Sequence, residues 1–237
     1  MTSKLEWLLV AESLFAGAYI ALTRGLFLIF LVAVGQDVKG ISFVILLSSL
    51  LSAIIGLMLY KQPNFLVRKV KQKLCITHFL ERVTWFFIPL TSNLLIVSLL
   101  YSLCIIFSSF ISTFLTFTIY GLLPEESIKK VTSRRTAAGN ISSIIGFALG
   151  TFLLAFLQTN GKFIYIFYLG ALIGILSTIS VLFIDLSRLE GAKIPAGVKE
   201  PEKIFSTSMF FVIFLFAGNL LAIVWTPFLI VKLNSPE

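Results

Sequence analysis

Residues 94–122, LLIVSLLYSLCIIFSSFISTFLTFTIYGL, contain no charged side chain. A hydrocarbon layer about 30 Å thick is crossed by roughly 20 apolar residues of α-helix, and this stretch exceeds that length. Backbone N–H and C=O groups in lipid must find partners inside the segment, so the run reads as a helix; a barrel strand would alternate polar and apolar positions instead. Similar runs recur from about Trp7 to Val34, Ile41 to Tyr60, Leu74 to Leu90, Ile141 to Leu157, Phe163 to Ile184 and Ile204 to Val231. The expected fold is all-α: a polytopic transmembrane bundle of about seven spans. Composition agrees, since the 237 residues are 58% hydrophobic and 13% charged with a mean hydropathy of +1.01, against about a quarter charged in soluble domains. Lys4 precedes the first run as in a signal peptide, but the run is too long for one and holds Glu12 and Arg24, so it reads as a retained helix.

The net charge of +8 does not point to nucleic acid, because the distribution of basic residues carries more information than their sum. Tight turns at Gly35 to Gly40, Thr91 to Asn93 and Gln158 to Lys162 alternate with longer charged connections at Lys61 to Lys73, Leu123 to Asn140 and Asp185 to Lys203. Fourteen of the 19 Lys and Arg residues fall at Lys4 and in those longer connections, whereas only Lys39, Lys162 and Lys232 lie on the other side. Positively charged loops stay cytoplasmic. The expectation is a multi-pass cell-membrane protein with its N-terminus and basic loops in the cytoplasm and the lipid bilayer as its partner, the loops also meeting anionic lipid. Cys75 and Cys104 fall in different spans at different depths, which points to packing and away from a disulfide.

The first and last spans resemble one another. Leu14 to Val32 (LFAGAYIALTRGLFLIFLV) aligns without gaps on Leu215 to Leu233 (LFAGNLLAIVWTPFLIVKL) at an offset of 201 residues, with eight of 19 positions identical; apolar composition alone gives roughly two. Six helices followed by a seventh that re-enters the pattern of the first is a parallel duplication. This plan resembles that of the major facilitator superfamily of transporters. Pro124, Glu125 and Glu126, then Arg134, Arg135, Ala138 and Gly139, resemble the family's stretch between helices four and five. Gly146 and Gly150 resemble its glycine signature on helix five, with Thr151 in place of the proline. After helix two, Gly56 and the basic stretch from Tyr60 to Lys73 keep the family's charge but lack its Asp and second Gly, and helix four lacks its arginine. The resemblance implies a six-helix bundle at residues 1–186, a charged cytoplasmic linker at 187–203 and, at 204–237, the first helix of a second half. The partner is then a missing second half or another copy of the chain.

Several polar residues stand where lipid-facing helices have none. On the fourth span Ser98, Tyr101, Ser102, Ser109, Ser112, Thr113, Thr116 and Tyr120 fall within an arc of about 120°. Such a stripe lines a hydrated path, as the resemblance implies, or holds helices together through hydroxyls. Arg24 lies too deep to reach an interface, and a buried arginine costs at least ~2.5–3.5 kcal/mol, so it needs an acidic partner, a hydrated cavity or an anionic solute. Glu12, Tyr19 and Thr23 share another face of that span. The third span carries His78, Glu81, Arg82 and Trp85 within about 100°. A carboxylate beside an imidazole exchanges protons near neutral pH, so His78 and Glu81 are coupling candidates; otherwise the cluster is structural, with Glu81 satisfying Arg24. The glycines of the fifth and sixth spans (Gly139, Gly146, Gly150, Gly170 and Gly174) favour close packing. Asn219 is the candidate from the last span.

The function expected is secondary active transport of a small solute by alternating access, with protons as a coupling partner. The alternative is a structural or regulatory membrane subunit. No metal-ligand spacing, nucleophile motif or phosphate-binding glycine loop occurs, so neither an enzyme nor a cofactor is expected.

Overall fold

A computed structural model describes residues 2–61, 65, 68–157, 159 and 161–189. Among these residues the secondary structure is helical: α1 (Thr2–Leu22), α2 (Arg24–Ala33), α3 (Val38–Lys61), α4 (Val70–Phe87), α5 (Leu94–Leu122), α6 (Glu125–Phe156) and α7 (Lys162–Leu182), with short 3-10 turns at Ile88–Leu90 and Ser187–Leu189. The last span, Asn219 within it and the repeat built on it lie outside the described residues.

Among the described residues five helices, where six spans were expected, are long and apolar enough to cross a membrane: Lys4–Ala33 taken through its break, Val38–Gly56, Leu94–Leu122, Glu125–Phe156 and Lys162–Leu182. The third expected span, α4, is helical but carries Lys71, Lys73, Glu81 and Arg82 in 18 residues. That charge density is what removes it from the set.

Local chemistry explains the boundaries. The first span breaks at Thr23, where the side-chain hydroxyl donates to Tyr19 O at 2.7 Å and Leu26 N bonds to Thr23 O; a hydroxyl bonding back to the previous turn bends a helix. At the end of α2, Gly35 N reaches Val32 O and Gln36 N reaches Leu31 O, a Schellman closure that requires the positive φ of 84° at Gly35. Asp37 Oδ1 then accepts from Gly40 N at 2.8 Å and starts α3. Asn93 Oδ1 accepts from Leu95 N and Ile96 N at the start of α5.

The expected loop at Leu123 to Asn140 is instead the first half of α6. Pro124 stands at its N-cap with Glu125 and Glu126 in the first turn, where proline's missing N–H costs nothing and acidic side chains meet the positive end of the helix dipole. At 32 residues this helix is about 48 Å long at 1.5 Å per residue, so a charged end can project beyond the apolar layer.

The most extensive interfaces pair α1 with α6 and α7, α5 with α3 and α4, and α4 with α7. Exchanging α1 with α5, α3 with α6 and α4 with α7 returns the same set. The packing therefore repeats after three long helices, with the first taken through its break at Thr23.

Glycines make the tightest of these contacts. A Cβ on Gly17 would collide with Gly139 O, and one on Gly146 would lie 2.9 Å from Ala18 O, so α1 and α6 touch backbone to backbone. A Cβ on Gly170 would meet Thr23 and Leu22, and one on Gly174 would meet Arg82 and Tyr19. Gly17→Ala is expected to destabilise the protein by about 1–3 kcal/mol through overpacking, lowering its melting temperature in detergent by roughly 2–4 °C per kcal/mol. Gly56→Ala, with nothing within 4 Å of the added carbon, is expected to leave it unchanged or raise it slightly. Equal melting temperatures for the two variants would contradict this account of the interface.

Candidate functional site

The break at Thr23 places Arg24 at the start of α2, inside the bundle and opposite α4. Its guanidinium pairs with Glu81, and the second oxygen of the same carboxylate pairs with Arg82. Glu81 and Arg82 are each 2% exposed, whereas the Arg24 side chain is 20% exposed. Adjacent residues on a helix diverge, so one carboxylate meets both arginines because α4 supplies Glu81 and Arg82 while α2 supplies Arg24. Arg82 continues across to α7, donating from Nε to Gly174 O at 3.4 Å and from Nη2 to Ser177 Oγ at 3.1 Å. Its guanidinium carbon lies 4.6 Å from the Tyr19 ring centroid, a cation–π distance.

A second ion pair lies about three helical turns towards the N-terminus along α1. Arg135 Nη2 donates to Glu12 Oε2 at 2.7 Å, and Arg135 Nε donates to Leu9 O at 3.1 Å. Ser13 Oγ returns a bond to Arg135 O at 2.7 Å. The sequence places Arg135 in an expected loop and gives Glu12 no partner; once the loop is helix, the two face each other across the α1 and α6 contact.

Between these ion pairs lies a cavity of about 380 Å³, walled by α1, α5 and α6 and by the Glu81 and Arg82 pair of α4. Its charged lining is Glu12, Arg24, Glu81, Arg82 and Arg135, three guanidiniums against two carboxylates. Thr136 and Asn140 also belong to a wider opening bounded by Tyr120, Glu125 and Lys129, so the space leads towards the basic end of the bundle. On the other side of Arg24 a buried aromatic layer closes the interior: Phe27 stacks on Tyr101 at 4.0 Å, and Trp85 meets Phe27 and Phe167 edge-on.

The hydroxyl stripe of α5 divides among four surroundings. Ser112 and Thr116 line the cavity together with Ser108, which the sequence reading missed although the spacing of four joins all three. Ser109 instead bonds to Ser52 of α3 at 2.8 Å. Ser98, Ser102 and Thr113 donate to carbonyls of their own helix, and Tyr120 is exposed. Of the polar residues singled out from sequence, the cavity brings together Glu12, Tyr19, Arg24, Glu81, Arg82, Ser112 and Thr116.

His78 is fully buried, yet neither of its ring nitrogens has a hydrogen-bond partner among the described residues. It makes no bond to Glu81. The Tyr19 hydroxyl, Arg24 Nε and Trp85 Nε1 are likewise buried without partners among those residues. Cys75 and Cys104 are unpaired thiols.

Among the described residues Arg82 reaches three acceptors on two helices through its planar fork, while Arg24 meets only Glu81. An ammonium cannot reproduce that fork. Arg82→Lys is therefore expected to cost about 1–3 kcal/mol through acceptors left unsatisfied, and Arg24→Lys less, as read from thermal unfolding in detergent. The reverse order would contradict the geometry. No protein-family model matches the chain, and no curated protein matches it.

Proposed function

We propose that this chain is the solute-binding half of a secondary transporter. The observation that carries the reading is the cavity: an arginine-lined, hydroxyl-lined space inside a bundle of membrane-length helices, leading to one end and closed by aromatic rings at the other. Ligand sites in membrane bundles lie near mid-depth, where intramembrane ionisable residues mark solute paths. A structural subunit has no use for such a space, and the hydroxyl of Ser109 is already used within the chain.

The packing exchange between the first three spans and the second three supports a major-facilitator-like half, because nested three-plus-three inverted repeats are that family's plan. On this reading α4 is the third span, inserted despite its charges because Glu81 and Arg82 are paired. The basic end faces the cytoplasm, which makes the conformation inward-open. Rocking of this half against a second one would expose the site alternately. Proton exchange between His78 and Glu81 is not part of the proposal, since the two side chains are not bonded to each other.

Cysteine accessibility tests the reading. In a background with Cys75 and Cys104 replaced by Ala, Ser112→Cys and Thr116→Cys are expected to react with a membrane-impermeant thiol reagent from the basic side, while Ser102→Cys, buried against its own helix, stays protected. Protection of the Ser112 and Thr116 variants from both sides of the membrane would rule out a hydrated path.

A further inference from the structure

The charged lining of the cavity does not balance, and its donors are not all used. Glu81 is shared by Arg24 and Arg82, while Glu12 is taken by Arg135. One positive charge is left over in the interior of an apolar bundle. At the same place, Arg24 Nε and the Tyr19 hydroxyl are buried without a partner among the described residues, and both side chains line the cavity. Tyr19 is 0% exposed, so bulk water does not satisfy its hydroxyl. Buried donors are ordinarily bonded. Two orphaned donors beside a surplus charge describe a site waiting for an acceptor that is negative.

We propose that the solute carries a single carboxylate, held by Arg24 and the Tyr19 hydroxyl. This rests on the transport reading and names its substrate class. A carboxylate brings one negative charge, which cancels the surplus, and its two oxygens match the two free donors. A phosphate dianion would overcompensate the charge and leave oxygens unmet. A cation would be repelled by the net field, and a neutral solute would leave it uncompensated. Ser108, Ser112 and Thr116 face the same space from α5 and can receive hydroxyl or amino substituents on the solute's remaining part.

The test uses the purified full chain in detergent, with propionate, lactate and benzoate as sodium salts against glycerol and choline chloride, all in constant sodium chloride. A ligand that binds the folded state raises the melting temperature in proportion to the logarithm of its concentration. Carboxylates are expected to raise it, and Arg24→Gln is expected to abolish the shift. If that variant does not fold, Tyr19→Phe serves in its place: loss of one charge-assisted hydrogen bond is expected to raise the concentration needed for the half-maximal shift by roughly tenfold. A shift with glycerol or choline but not with carboxylates, or with none of the solutes, overturns the carboxylate assignment while reagent-accessible Thr116→Cys keeps the transport reading standing. Protection of Thr116→Cys removes both.

Discussion

One buried carboxylate holds this bundle together. Glu81 sits where lipid-facing helices present hydrocarbon, and it is tolerable there only because guanidiniums from two directions meet it. Removing one partner of a buried ion pair costs about 3–5 kcal/mol, because the remaining charge is stranded. That constraint explains otherwise separate features. The first span breaks at Thr23, immediately before the arginine that must reach across. Gly174 has no side chain because the stem of Arg82 and the ring of Tyr19 occupy its place. Ser177 stands one turn further on as an acceptor for the same guanidinium. α4, with four charged residues among its 18, packs against both α5 and α7.

The same constraint shapes the cavity. A helix pair joined backbone to backbone at glycines, as α1 and α6 are, leaves little room between its axes. The space lies beside that contact, lined by Gly17 and Gly139 on one side and by Ser108, Ser112 and Thr116 of α5 on the other. Two ion pairs mark its length, Arg24 with Glu81 deep inside and Arg135 with Glu12 nearer the basic end. Beyond Arg24 the rings of Phe27, Tyr101, Trp85 and Phe167 pack against one another.

Much of this was legible in the residues. Long apolar runs identify membrane helices because lipid imposes length and composition directly. Glycine stripes at a spacing of four identify close contacts, and a deep arginine demands a partner, which Glu81 supplies. What periodicity cannot give is the identity of the neighbour on each face. Ser109 and Thr116 lie on one arc of α5, yet one meets α3 and the other the cavity, because an arc of about 120° is wider than the surface a single neighbour covers. The helical start of α6 was hidden by its charges, which signal a loop to a hydropathy reading and a solvated helix end to a capping one. The pairing of Glu12 with Arg135 was hidden by that misreading. Counting α4 as an apolar span overlooked that its charges are compatible with a membrane only as pairs.

The central claim is that Arg24 and Glu81 act as one buried unit. A double-mutant cycle with Arg24→Gln and Glu81→Gln, read as unfolding free energy in a lipid-like detergent, measures their coupling directly. The account predicts a coupling of at least about 1 kcal/mol, within the range for residues sharing an ion-pair network. Additivity to within about 0.3–0.5 kcal/mol, as for distant sites, would contradict it.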